Sequence, residues 1–125
     1  MRLSKLPYLT LWAVKFDEVV TLYKDILGLP VAEENQNFVM FDTSVSRLAF
    51  HKLPKGHRLD RPTIEIHFEA NDVDTVYSSL QTRGVKFEEK PENKPWGTRV
   101  ASFKDPEGFT VEIIGPLKEG GSNRG

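Results

Sequence analysis

Apolar and polar residues alternate in two rhythms along this chain, and the order of the rhythms repeats. Tyr8 to Val14 is dominated by apolar and aromatic residues and reads as a buried strand. From Asp17, a good N-cap type, Val19, Leu22, Tyr23, Ile26 and Leu27 fall at i, i+3, i+4, i+7 and i+8, the stripe of an amphipathic helix. Gly28 and Pro30 are placed to end it. Short strands are expected at Pro30–Glu33, Phe38–Phe41 and Arg47–Lys52, before a polar loop from Leu53 to Pro62. Thr63 to Glu69 then alternates strictly, with Ile64, Ile66 and Phe68 on one face and Glu65, His67 and Glu69 on the other. Asn71 is a candidate N-cap, Val73, Val76, Tyr77 and Leu80 form a second helical stripe, and Gly84 stops it. Strands are expected at Val85–Phe87, Arg99–Phe103 and Phe109–Ile114, with Asp105-Pro106-Glu107-Gly108 as a type I turn. The plan is β-α-β-β-β twice, the two helix-ending glycines lying 84 − 28 = 56 residues apart.

The repeat predicts an α+β fold in which each module has one sheet face under its helix and one face bare. A bare face must be covered by another surface or by a ligand. With 125 residues the expectation is a single domain over 1–116: module one about 6–53, a linker about 53–62, module two about 63–116, and a flexible tail over 117–125. A charged fraction of 28% is ordinary for a globular chain. A net charge of −1 gives no general attraction to nucleic acid or anionic membrane. The apolar stretch near the N-terminus is too short for a membrane span, holds Pro7 and Thr10, and lacks a signal-type cleavage site. The absence of cysteine excludes disulfides, cysteine-ligated metals and thiol nucleophiles in this chain, and it accords with a cytoplasmic setting.

Three segments resemble the vicinal oxygen chelate superfamily, which includes glyoxalase I, extradiol dioxygenases and the fosfomycin and bleomycin resistance proteins. Val20-Thr-Leu-Tyr-Lys-Asp-Ile-Leu-Gly-Leu-Pro-Val31 is similar to its first-helix signature. Asn71-Asp-Val-Asp74 with Arg83-Gly-Val85 is similar to its second helix, and Trp96-Gly-Thr-Arg99 with Phe103 to Ile113 to its closing hairpin. The resemblance covers about residues 6 to 116 and implies two half-barrel sheets around a cleft, closed within one chain or across a homodimer. In metal-dependent members, ligands come from the first and last strands of each module. Those positions fall here on Tyr8, Ala49, Glu65 and Glu112. Ala49 has no donor and a neutral phenol is a poor ligand, so the standard metal site is expected to be absent.

Alternation places Tyr8, Thr10 and Trp12, and Arg47, Ala49 and His51, on the bare face of module one, with Leu9, Leu11 and Ala13 under the helix. Tyr8, Trp12 and Trp96 are a candidate aromatic wall. With Glu65, Glu69 and Glu112 they suit a planar or cationic ligand. Arg47, His51 and His67 complete the candidate ligand contacts, and Glu112 and Glu65 are the candidate general acid and base. The leading expectation is a small-molecule binder of the bleomycin-resistance kind with no cofactor. A rival is a lyase, isomerase or dioxygenase-like enzyme that uses Glu65, His67 and Glu112 around Mn²⁺, Mg²⁺, Ni²⁺ or Zn²⁺, with His51 a further candidate donor. A third is a dimerisation module without ligand. Asp72 and Asp74 read as helix-capping and dipole features. The basic loop of Lys52, Lys55, His57, Arg58 and Arg61 lacks interleaved aromatics and reads as a solvated connection or ligand gate, not a nucleic-acid patch. No Gly-rich phosphate loop, G-x-S-x-G or H-E-x-x-H occurs.

Overall fold

The computed structural model describes residue 4, residues 6–58 and residues 64–119. The expected strand start at Thr63, Arg61 of the basic loop, and the tail from residue 120 lie outside the described residues. The chain divides into two compact units, Met1–Asp60 and Arg61–Gly125. Among the described residues, no helix is long and apolar enough to cross a membrane.

The first unit contains β1 (Tyr8–Ala13), a helix α1 that runs from Phe16–Val20 into π-helical Thr21–Ile26, then β2 (Val31–Glu34), β3 (Phe38–Asp42) and β4 (Arg47–Lys52). Its sheet order is β1-β4-β3-β2, with β1 parallel to β4 and the other pairs antiparallel. The second unit contains β5 (Glu65–Glu69), α2 (Val73–Thr82), β6 (Phe87–Asn93), β7 (Arg99–Lys104) and β8 (Thr110–Gly115). Its order, β5-β8-β7-β6, has β5 parallel to β8, so the β-α-β-β-β plan does occur twice.

In the first unit Leu11, Ala13, Val39, Phe41, Leu48 and Phe50 are buried with Phe16, Val19, Leu22 and Tyr23 of the helix. Tyr23 packs against Phe50 and Phe41 at ring distances of 4.9 and 6.0 Å. Three details differ from the pattern-based expectation. The helix starts at Phe16 with Lys15 at the N-cap and no side-chain cap, so Asp17 sits in the first turn, where its charge suits the helix dipole. The helix then widens: the Leu27 N–H bonds the Leu22 carbonyl at 2.8 Å, five residues back. The extra residue in that turn rotates the end of the stripe, and Ile26 and Leu27 are only half-buried. Leu9 shares the phase of Leu11 and Ala13, but it lies near the start of an edge strand and is 46% exposed.

In the second unit α2 begins at Val73, and its cap is Asp72, not Asn71; the Asp72 carboxylate accepts from the Thr75 N–H at 3.2 Å. The helix ends in a Schellman motif. Gly84, at φ 96°, donates to the Gln81 carbonyl, and Val85 donates to Leu80. The next strand starts at Phe87 and not Val85, and runs to Asn93 with two register irregularities. Its polar, proline-bearing sequence, FEEKPEN, has no alternation to detect, and an edge position is what lets a strand tolerate Pro91. The expected turn before β8 is present. Gly108 donates to the Asp105 carbonyl at 2.9 Å, and the Asp105 carboxylate accepts from the Glu107 and Phe109 N–H groups.

Asp74 and Arg99 join the helix to the sheet. Arg99, 8% exposed, donates through Nε and Nη2 to both Asp74 oxygens at 2.7 and 2.9 Å, and through Nη1 to Asn93 at 3.1 Å. Asn93 in turn exchanges two hydrogen bonds with the Lys118 backbone. Lys118, in the segment expected to be a flexible tail from residue 117, is thus hydrogen-bonded to Asn93.

The hydrogen bond from Arg99 holds the Asp74 carboxyl below its ordinary pKa of 3.8. A carboxyl depressed on folding adds stability that is fully present above the unfolded value and is lost as pH falls through the folded one. Urea unfolding at pH 6 should show Asp74→Asn less stable than wild type by about 2–3 kcal/mol, below the range for breaking a fully buried pair. The gap should narrow as pH drops below about 4. A Cβ on Gly115 would meet the Ala70 carbonyl oxygen and, at 2.9 Å, Val73 Cγ2. Gly115→Ala should lower stability by about 1–3 kcal/mol in the same assay.

Candidate functional site

The open face of the second sheet carries the densest chemistry among the described residues. Because β5 is parallel to β8 and in fixed register, His67 lies directly opposite Glu112, and Glu65 lies opposite Thr110. The His67 ring stands between two carboxylates. Its Nδ1 is 3.1 Å from Glu112 Oε1, and its Nε2 is 3.5 Å from Glu65 Oε1. One ligand atom from each of Glu65, His67 and Glu112 lies within 4.8 Å of the others. Glu65 and His67 are about half exposed at the sheet edge, whereas the Glu112 side chain is 20% exposed. Glu65 and Glu112 do converge, but on the imidazole between them and not directly on each other.

The same rung continues across the sheet. Ser102 of β7 pairs with Glu112 and with Glu89 of β6, and the Ser102 hydroxyl lies 2.9 Å from Glu89 Oε1. Lys94 closes the row, 3.5 Å from Glu89 and 3.3 Å from Glu92. Its hydrogen bond to Glu92, with the charges of Glu89 and Glu92, raises its pKa above the ordinary 10.5. Lys94 Nζ also sits 5.9 Å from the Trp96 ring centroid. Trp96, at the turn between β6 and β7, is 70% exposed.

The first unit carries the remaining candidates on one sheet face. Tyr8 pairs with Arg47, Thr10 with Ala49 and Trp12 with His51. The Trp12 and His51 rings are 4.5 Å apart, and Phe38 meets His51 edge-on at 6.0 Å. Arg47, proposed above as a ligand contact, has a partner on the neighbouring strand, Asp42, at 3.4 Å. Ala49 is fully buried, pairs with Thr10 and Met40, and supplies no metal donor at that position. Tyr8, Trp12, Arg47 and His51 thus share a face, but His51 stands there against aromatic rings, and the three metal-type donors that meet are Glu65, His67 and Glu112 of the second unit. Sequence reading missed Ser102, Glu89 and Lys94. A serine within the buried run Val100-Ala-Ser-Phe103 was the available signal, whereas the irregular strand that carries Glu89 left none.

These features define a paired β-α-β-β-β protein with a carboxylate–imidazole–carboxylate group on the second sheet. A glyoxalase-like domain family model matches residues 6–118, and the chain belongs to that family, within the vicinal oxygen chelate superfamily. It is 32% identical over 123 residues to the uncharacterized protein YraH of Bacillus subtilis (strain 168), covering 87% of this chain and 96% of that relative. Its fold is similar to that of a glyoxalase/bleomycin resistance protein/dioxygenase from Nocardioides, with a TM-score of 0.77 and 22% identity over 100% of this chain and 90% of that one. A lactoylglutathione lyase from Agrobacterium tumefaciens matches with a TM-score of 0.74 and 20% identity, over 92% of this chain and 96% of that one.

Proposed function

We propose that this protein is a small-molecule-handling member of the glyoxalase-like family whose second unit binds one divalent cation through Glu65, His67 and Glu112. The observation that carries the reading is their mutual approach within 4.8 Å. The donor set fits. Two carboxylates offset the charge of a divalent ion, and imidazole with carboxylate suits Mn²⁺, Ni²⁺ or Zn²⁺. Ligand bonds of about 2.0–2.2 Å bring donors within about 4.4 Å of one another, a small closure for half-exposed side chains. A bound cation would act as a Lewis acid on substrate oxygens.

The chain's own residues then divide the work. Glu112, the least exposed of the three, is held in place by pairing on both sides of β8. His67 keeps one ring nitrogen available to a carboxylate when the other is engaged, which fixes its tautomer and orientation. Glu65, at the exposed edge, completes the donor set. Within the first unit Tyr8, Trp12, Arg47 and His51 share one sheet face, on which the tilted Trp12–His51 pair offers a surface for a planar group. A cytosolic setting and a second copy of the chain as partner fit the same proposal.

A metal-free binder is the second reading. It is favoured by the fact that both His67 nitrogens already face carboxylate oxygens within the chain. Metal analysis of the full chain purified without chelator separates the two. The first reading expects about one equivalent of divalent ion, lost in Glu112→Ala and His67→Ala. It also expects a lower Tm after chelation that Mn²⁺, Ni²⁺ or Zn²⁺ restores, by about 2.7 kcal/mol at a hundredfold excess over Kd. Metal-free protein with no Tm response to any of the three ions leaves the second reading.

A further inference from the structure

The open face of the second sheet ends in a cavity that the triad does not use. It has a volume of about 420 Å³, and its lining includes Glu69, Asn71, Thr98, Ile114 and Gly115. It lies one step along the strands from the His67–Glu112 rung, because Glu69 follows His67 by two residues and pairs with Ile114, which follows Glu112 by two. Two residues along a strand is about 7 Å on the same face. Gly115 makes the wall possible: its missing side chain lets β8 pass against Ala70 and Val73, and the Ala70 N–H bonds the Ile114 carbonyl at 2.8 Å.

The polar equipment of this cavity is unspent. Glu65 and Glu112 meet His67, Glu89 meets Ser102 and Lys94, and Asp74 meets Arg99. No described residue pairs with the side chains of Glu69, Asn71 or Thr98. A carboxylate with no internal counter-charge, set in a concave wall beside an amide and a hydroxyl, is a recognition group for a cation or an N–H donor. Thr98 and Gly97 belong to the turn closed by the Lys94–Thr98 and Gly97–Lys94 backbone bonds.

We infer that the ligand of this site carries an ammonium or similar N–H donor group bound at Glu69, about 7 Å from oxygen atoms held at Glu65, His67 and Glu112. The substrate class is thus an amine-bearing oxyacid or its equivalent, and Glu69 is the specificity-determining residue. This rests on the divalent-cation reading for its oxygen end only; the Glu69 end is read separately.

The test uses the full chain loaded with Zn²⁺ and three matched probes: 5-aminopentanoate, pentanoate and glutarate, titrated by ligand-observed NMR. Wild type should bind 5-aminopentanoate about two- to fivefold more tightly than pentanoate, the scale of a partly exposed ion pair, with glutarate weakest. Glu69→Gln should abolish that preference while leaving pentanoate affinity and bound zinc unchanged. An equal response to 5-aminopentanoate and pentanoate in wild type, or a preference that survives Glu69→Gln, overturns the inference. Loss of zinc in Glu69→Gln also overturns it, since Glu69 would then belong to the cation site. A chain that holds no zinc but still prefers the amine in a Glu69-dependent way refutes the cation reading alone and keeps the assignment of Glu69.

Discussion

In each unit the strand that starts the β-α-β-β-β plan lies parallel to the strand that ends it, and everything at the site follows from that pairing. Parallel neighbours cannot be joined by a tight turn, so a helix and two strands must intervene before the chain returns. In the second unit this carries His67 and Glu112 across 112 − 67 = 45 positions of sequence into direct opposition. The fixed register then decides which side chains share a rung. A shift of one residue would send Glu112 under α2 and bring Val111 or Ile113 to the open face. The buried contacts of Val111 and Ile113 are thus what hold the carboxylate where it is. Core packing and site geometry are two consequences of one registration.

The Asp74–Arg99 pair works on the same registration from the other side. It ties the first turn of α2 to the start of β7, whose partner β8 carries Glu112. Arg99 is nearly buried and forked onto both oxygens of one carboxylate, a geometry that fixes orientation as well as distance. Asn93 extends the tie to β6 and to Lys118 beyond the last strand. Helix, three strands and the segment after the sheet therefore converge near one guanidinium.

Much of this was legible in the sequence because binary pattern and turn chemistry agree. The alternation of Glu65, Ile66, His67, Phe68 and Glu69 gave the correct face for the triad residues, and Gly28, Gly84 and the Asp105–Gly108 turn marked element ends correctly. What alternation cannot give is the cross-strand partner. The family pattern picks out Glu65 and Glu112 as positions, and only the ladder shows that His67 lies directly opposite Glu112. Asn71 and Asp72 both read as capping residues for α2, and only backbone geometry selects Asp72. The widening of α1 leaves no mark in composition, so Ile26 and Leu27 were expected to be deeper than they are.

The two units also show how a duplicated fold can divide its chemistry. By element order Ala49 occupies in β4 the place that Glu112 occupies in β8, and Thr10 stands where His67 does. Each pair is directly opposed across a parallel ladder, so the backbone provides the same scaffold twice. Only the second unit's copy of this rung carries an imidazole opposite a carboxylate. In the other, the small side chain at Ala49 leaves the rung between Tyr8–Arg47 and Trp12–His51 without a donor, and the flanking rungs carry rings and a guanidinium instead. Stacking and charge on one sheet, and carboxylate–imidazole chemistry on the other, are therefore set by side chains alone on one repeated backbone.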